Sequence, residues 1–378
     1  MKVLEAISDG NIGGAGVLLL SRLKNSDRDK IETTVIIPKE SLLIERFKKI
    51  GVEVYEIDCY ADRSFDVTTL LALIVAIRKI KPDIINTHGW LSVRIAAAVC
   101  KVPIRVYTRH CAFPVPKTQK SFVGKAFFRA ATCILSNHIV AVADAAKDNL
   151  VEMGASPKDI TVIINGCEGL NKTPPIERYN LRSKLGIDKD AVVLGINARL
   201  ETYKGHECLL RAVKILNCSY RDKIKVVCLI IGDGSQRESL KRKCREYNIE
   251  NLIIFTGFLQ DVSPYMNIVD INVNCSTGTE TSSLSLSEGM SLAIPSVASD
   301  FGGNPYMVKD GVNGFIFPQN NSEALAEKIF LLASDKELYQ RMSYEAQKRF
   351  YEELNAKNMT KRTENLYCSL FHATKNKS

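Results

Sequence analysis

Short apolar runs alternate with helical segments along almost the whole chain, in two separate series. In the first, "KVLEAI" (2–7), "TTVIIP" (33–38), "VEVYEI" (52–57), "PDIINTHG" (82–89), "IRVYTRH" (104–110), "HIVAVA" (138–143) and "ITVIING" (160–166) read as strands. Helical stretches lie between them, such as "LLIERFKKIG" (42–51), stopped by Gly51. The pattern restarts with "AVVLGINAR" (191–199), "IKVVCLIIGDG" (224–234), "LIIFTGF" (252–258), "IVDINVNC" (268–275) and "IPSVASD" (294–300). Apolar strands separated by helices form parallel sheets covered on both faces. Two such series predict an α/β protein of two doubly wound, Rossmann-like domains.

The first domain is expected over 1–167 and the second over 191–355. The join, 168–190, holds Pro174 and Pro175 and has no apolar periodicity, so it reads as a linker. The stretch 336–370 reads as helical, and its end, from about 356 to 378, is expected to pack back on the first domain. Ligands of such sheets sit at the carboxyl ends of the strands. Two facing domains are therefore expected to share one cleft.

A length of 378 residues agrees with two domains, and 46% hydrophobic with 25% charged residues is an ordinary globular composition. The longest apolar run, "TTLLALIVAI" (68–77), is too short to span a bilayer and reads as a packed helix. The start, "MKVLEAISDG", reads as a strand and a polar turn and not as a secretory signal. The 11 cysteines are scattered, without a Cys-x-x-Cys pair. Cys100, Cys133, Cys228 and Cys275 sit in apolar runs and read as small buried hydrophobes. This usage points to a reducing, cytoplasmic compartment.

The net charge is +9, and its extreme is the window 101–129. That window holds Lys101, Arg105, Arg109, Lys117, Lys120, Lys125 and Arg129, and no acid. Phe113, Phe122, Phe127 and Phe128 are interleaved with these cations. Such a surface suits an anionic membrane met peripherally, or an anionic ligand. A solvated face over core phenylalanines is the alternative. No nucleic-acid partner is expected.

The polar residues that stand out follow strands. Gly10, Gly13, Gly14 and Gly16 lie after the first strand, where a glycine loop lets a backbone approach a phosphate or sugar. Their spacing is not G-x-G-x-x-G, which disfavours a nicotinamide dehydrogenase. Arg199 ends a strand and Lys204 follows it before a helix, a pairing suited to a diphosphate. His88 and His110 both stand at strand ends, whereas His138 and His206 read as structural. In "GTETSSLSLSEGM" (278–290), Glu280 and Glu288 are separated only by uncharged residues. Thr281, Ser282 and Ser283 read as caps of a helix from about Leu284 to Leu292. The open amides at 282–285 would hold an anion. Asp27-Arg-Asp29 and Asp188-Lys-Asp190 fall in polar turns, so no metal is expected.

These motifs resemble those of the family 4 glycosyltransferases. The likeness is carried by "GNIGGAG", "PDIINTHG", "VAVADAAKDNLVEMG", "ITVIINGC", "ARLETYKGHECLLRAV", "LIIGDGSQRESL", "IIFTGFLQDV", "ETSSLSLSEGM", "PSVASDFGG" and "VKDGVNGFIF", over most of the chain. It implies the GT-B fold and transfer from a nucleotide sugar with retention of anomeric configuration, without a cofactor. The donor diphosphate would lie on Arg199, Lys204, Gly14 and the amides of Ser283 and Leu284. Glu288 would bind the ribose, and Phe258 and Leu259 would flank the base. Gly13 and Gly16 belong to the loop that approaches the phosphate and the acceptor. Glu280 and His110 would act at the donor sugar as transition-state stabilisers. The implied donor is a UDP-sugar, and the implied acceptor is a glycan or a lipid-linked glycan of surface polysaccharide assembly. The sequence departs from the family at Tyr306, where "GG-x-P-E" reads "GGNPY", and at "VAD" (142–144) in place of "VSE". A sugar-nucleotide epimerase and a non-catalytic binding subunit on the same fold are the alternatives.

Overall fold

The structure, a computed structural model, describes residues 1–111, 115–278 and 280–376. Phe113 and Thr279, which belong to stretches singled out above, lie outside the described residues. The chain divides into two compact units, residues 1–168 with 356–378, and residues 169–355.

The first unit holds the strands β1 (Lys2–Ile7), β2 (Glu32–Pro38), β3 (Glu53–Ile57), β4 (Ile84–His88), β5 (Ile104–Arg109), β6 (His138–Ala141) and β7 (Ile160–Val162). Its helices are α1 (Gly14–Lys24), α2 (Ile44–Lys49), α3 (Leu70–Ile80), α4 (Leu91–Val99), α5 (Lys117–Lys120), α6 (Phe122–Leu135) and α7 (Asp144–Met153). The strands form one parallel sheet in the order β3-β2-β1-β4-β5-β6-β7. Successive side chains of a strand face opposite ways. Accordingly Val35 and Ile37 of β2 join Leu19, Leu23 and Phe47 on one face. Ile36, between them, joins Leu73, Ala76 and Trp90 on the other.

The second unit repeats this plan. It contains α8 (Pro175–Lys184), β8 (Val192–Asn197), α9 (His206–Ser219), β9 (Val226–Ile231), α10 (Arg237–Tyr247), β10 (Ile253–Gly257) and α11 (Ser263–Met266). There follow β11 (Ile271–Asn274), α12 (Leu284–Ser291), β12 (Ser296–Ser299), α13 (Asn304–Met307), β13 (Gly314–Phe317), α14 (Ser322–Ser334) and α15 (Lys336–Arg349). The sheet order is β10-β9-β8-β11-β12-β13, all parallel. The last helix, α16 (Ala356–Lys375), belongs to the first unit and packs on α1, where the Thr360 hydroxyl donates to the Arg22 carbonyl at 3.1 Å.

Both sheets reverse their order next to a central strand, between β1 and β4 and between β8 and β11. Loops leaving a sheet on either side of such a reversal diverge and leave a crevice at the carboxyl ends.

Several sequence expectations need correction. The stretch 168–190 is not a bare linker, because it carries α8 and residues 169–190 belong to the second unit. Helix α3 is not packed all round, for Leu71 is 76% and Val75 63% exposed. Cys133 is exposed and Cys100 half-buried, while Cys228 and Cys275 are buried as expected. Each run contains the predicted element, but β6, β7 and β11 are shorter than their apolar runs. Ile268 and Val269, just before β11, are buried in a loop and so look like strand in the sequence.

Candidate active site

In the second unit the candidate residues gather at the carboxyl ends of β8 and β11. Gly205 makes the first approach possible. It has φ +69°, and a Cβ there would come 2.1 Å from the carbonyl oxygen of Cys275, so only glycine fits. The turn before α9 can therefore lie against the end of β11, where the Thr277 amide donates to the Tyr203 carbonyl at 2.8 Å. This contact brings Lys204 to Glu280, with Nζ 2.7 Å from Oε2. Both side chains are largely desolvated, 17% and 9% exposed. The Ser276 hydroxyl also donates to Glu280 Oε2, at 2.7 Å, and Asn274 Nδ2 lies 3.4 Å away. Arg199 stays exposed and donates through Nη2 to the Tyr203 hydroxyl at 2.9 Å.

The backbone carrying Glu280 is held from behind. A Cβ on Gly302 or on Gly303 would come 1.8 Å from the carbonyl oxygen of Glu280 or of Thr281. The Gly303 amide donates to the Glu280 carbonyl at 3.1 Å. The glycine pair is thus required for backbone-to-backbone contact beneath the loop.

Ser283 is the N-cap of α12, with its hydroxyl accepting from the Leu286 amide at 3.4 Å. The Ser283 amide is not simply open to a phosphate, since Met307 Sδ lies 3.1 Å from it. The amides of Leu284 and Ser285, in the first turn, have no intrahelical acceptor, and the helix dipole adds positive potential there. Glu288 lies one helical repeat further on. Its Oε2 accepts from Asn197 Nδ2 at 2.9 Å. Burial pushes the Glu288 carboxyl up to about 7, with the Asn197 hydrogen bond opposing it. Phe258, after β10, is 80% exposed, and Leu259 beside it is half-buried. Tyr306 is engaged away from this group, its hydroxyl donating to Glu353 Oε2 at 2.9 Å with the Arg349 guanidinium 4.9 Å from its ring centre.

In the first unit His88 and His110 meet at the ends of β4 and β5. His88 Nδ1 lies 2.7 Å from His110 Nε2, and the rings stack with centroids 5.0 Å apart. Burial, reinforced by the nearby His88, lowers His110 to about 3, so it is neutral at working pH. Gly13 caps α1 and Gly14 begins it, with no atom within 4 Å of a Cβ built on Gly14. Gly16 serves packing instead, because a Cβ there would meet Leu43 Cδ1 at 2.3 Å. This explains its place in the glycine loop without a ligand. Asn197, Ser276, Asn274 and Glu5 escaped the sequence reading. The first three are short polar residues around strand ends, where the same rule that selected Arg199 could have found them.

A helix N-terminus with two nearby cations favours an anion, and carboxylates at either end accept from hydroxyls. Such an arrangement can accept a diphosphate ester bearing hydroxyls on both sides. Among the described residues, no group of three or more His, Cys, Asp or Glu is placed to hold a metal ion.

Residues 12–168 match the family described as Glycosyltransferase Family 4, and residues 177–349 match Glycosyl transferases group 1. The chain is 27% identical over 286 residues to the UDP-Gal:alpha-D-GlcNAc-diphosphoundecaprenol alpha-1,3-galactosyltransferase of Escherichia coli, covering 72% of each protein. It is 25% identical over 303 residues to a glycosyltransferase of Methanocaldococcus jannaschii, covering 76% of this chain and 75% of that one. Among solved structures, Anabaena HepE in complex with UDP superposes with a TM-score of 0.83 at 22% identity, over 98% of this chain and 100% of HepE. The chain belongs to the family 4 glycosyltransferases and has their GT-B fold. It is accordingly an enzyme that transfers a sugar.

Proposed function

We propose that this glycosyltransferase takes a hexose-type sugar from a UDP-sugar and transfers it, with retention of configuration, to a glycan or lipid-linked acceptor of surface polysaccharide. The observation that carries the donor reading is the group formed by Arg199, Lys204, the first turn of α12, Glu280 and Glu288. Lys204 is paired with Glu280. An incoming diphosphate competes for that ammonium and leaves Glu280 to accept from sugar hydroxyls. Glu288 as a carboxylate takes the two ribose hydroxyls, and exposed Phe258 offers a face for the base. The UDP complex of HepE and the UDP-Gal donor in the name of the Escherichia coli relative support uridine. The latter name also supports a lipid-diphosphate acceptor.

In the reaction the acceptor oxygen bonds to the anomeric carbon on the face from which the diphosphate departs. The bond from that carbon to the phosphate oxygen breaks, and the acceptor proton passes to the leaving phosphate. Arg199, Lys204 and the α12 terminus neutralise the charge that develops on the diphosphate, a task that needs no metal here. Neutral His110 is a transition-state stabiliser and not a base, and Gly13–Gly14 form the loop open to acceptor or phosphate. The acceptor meets the protein at an anionic membrane surface, supported by exposed Lys101, Lys117, Lys120 and Arg129 and by exposed Phe122, Val123 and Phe127 on α6. No helix among the described residues is long and apolar enough to cross a membrane.

The test is acceptor-dependent release of UDP from UDP-sugars, with the product's anomeric configuration read by NMR. Retention and dependence on acceptor are expected. Free nucleotide released equally well without acceptor indicates the epimerase reading, and an inverted product contradicts the mechanism.

A further inference from the structure

Glu5 interrupts the apolar strand β1 between Leu4 and Ala6, and its side chain is fully buried. A carboxylate there is tolerated only with partners that replace its water. Three elements supply them. Arg22 of α1 places Nη2 2.5 Å from Oε1, and the Tyr367 hydroxyl of α16 donates to the same oxygen at 2.9 Å. From β4, Asn86 Nδ2 donates to Oε2 at 2.9 Å and His88 Nε2 lies 3.0 Å from it. Beyond His88 stands His110, at 2.7 Å. The result is an unbroken carboxylate–imidazole–imidazole chain.

Its protons can be placed in order. Burial alone would raise the Glu5 carboxyl, but the Arg22 charge, His88 and Tyr367 together outweigh it and hold it at about 2. The carboxylate is therefore ionised and only accepts. His88 must then carry a hydrogen on Nε2. Where His88 carries that proton alone, its Nδ1 is a lone pair, and the hydrogen between the two histidines belongs to His110 Nε2. The lone pair of His110 falls on Nδ1.

We propose that Glu5 is a positioning residue that fixes the tautomer of His110 through His88, and that Arg22 and Tyr367 hold Glu5 in place for this. The proposal rests on the role given to His110 in the transfer reaction. It makes His110 Nδ1 an acceptor, suited to a substrate hydroxyl and unsuited to a phosphate oxygen. It also gives the C-terminal helix a part in the chemistry, because α16 supplies the hydroxyl that orients Glu5.

The experiment is long-range proton–nitrogen NMR on full-length protein with 15N-labelled histidine, with His110→Asn used to assign the signals. The wild type is expected to show His110 protonated at Nε2 and bare at Nδ1. In Glu5→Gln the Arg22 and Tyr367 donors hold the amide oxygen, the amide NH2 faces His88, and the His110 tautomer is expected to reverse or mix. Its kcat is expected to fall on the order of 100-fold, as for a misplaced tautomer in other enzymes. KM for the donor and the thermal shift with UDP should stay within about threefold, because Arg199, Lys204, Glu280, Glu288 and Phe258, to which most of the donor's contacts are assigned, lie in the second unit. Tyr367→Phe keeps the carboxylate and should lose less activity, with the wild-type tautomer retained. A wild-type His110 protonated at Nδ1 overturns the proposal, whatever the variants do. So does a Glu5→Gln protein with unchanged tautomer and kcat. If the wild type transfers no sugar at all, the reaction fails while the tautomer result still stands by itself.

Discussion

Near neutral pH Glu288 is divided between two protonation states, since burial brings its carboxyl up to about 7. The ionised form is the one that accepts two hydroxyls, so affinity for a UDP-sugar should rise as pH goes from about 6 to 8. Isothermal titration at several pH values checks this, and Glu288→Gln should bind at least about tenfold more weakly with the pH dependence gone. Stability runs the other way. The folded value lies above the ordinary one of 4.5, so the stability tied to the protonated form is present below that value and lost as pH rises through about 7. Glu288→Gln should therefore raise the melting temperature at pH 8 by a few degrees, and much less at pH 4. His206 gives the opposite sign. Burial, with Lys204 nearby, lowers it to about 4, and neither ring nitrogen has a hydrogen-bond partner among the described residues. Its contribution is lost as pH falls from about 6.5 toward 4, so His206→Leu should lose less melting temperature than the wild type over that range. Arg199, Lys204, Glu280 and Glu288 were legible in the sequence because polar residues after apolar strands mark the ligand end of a parallel sheet. The mutual pairing of Lys204 and Glu280 was not, because it depends on how closely Gly205 lets two loops approach. Glu5 was hidden for another reason: its partners Arg22, His88 and Tyr367 are distant in sequence, and an acid in an apolar run carries no periodic signal.

At the scale of elements, the alternation of apolar runs and helices located the strands, but what covers each helix was beyond it. The run containing α3 is uniformly apolar, so its exposed stripe of Leu71 and Val75 could not be told from its buried one of Leu73, Ala76 and Ile77. In α6, Phe122 and Phe127 turn out exposed and Phe128 half-buried, which favours a docking surface over core phenylalanines. Flotation with vesicles rich in phosphatidylglycerol should bring the wild type upward. Lys117/Lys120/Lys125→Glu should leave most of it at the bottom, and equal flotation of both proteins contradicts membrane attraction through this window. The loop 299–303 can be tested separately. An alanine at Gly302 would drive a methyl group into the Glu280 carbonyl and would also strain a backbone with φ +61°. Gly302→Ala should lower kcat/KM by at least about tenfold with an unchanged circular dichroism spectrum. Full activity in that variant would show that Glu280 is not held from this side.

The whole molecule follows from one repeated rule, the parallel sheet with a reversal of strand order, applied once in each unit. The repeat was visible because strands buried on both faces must be apolar throughout. The packing of α16 on the first unit is expected from the sequence, but its hold on Glu5 joins residues 362 apart and leaves no local signal. At this scale the donor reading also predicts activity unchanged by EDTA, since Arg199, Lys204 and the α12 terminus take the place of a cation. A loss of activity restored by Mg²⁺ or Mn²⁺ would contradict that. The most direct measurement is the thermal shift of the full chain with UDP-, GDP- and ADP-sugars, repeated with Glu288→Ala. The account predicts that a UDP-sugar at about 100 times its Kd stabilises the wild type by roughly 2.7 kcal/mol, several degrees, and that the shift largely disappears in Glu288→Ala. No shift with any nucleotide sugar, or the same shift in the variant, would contradict it.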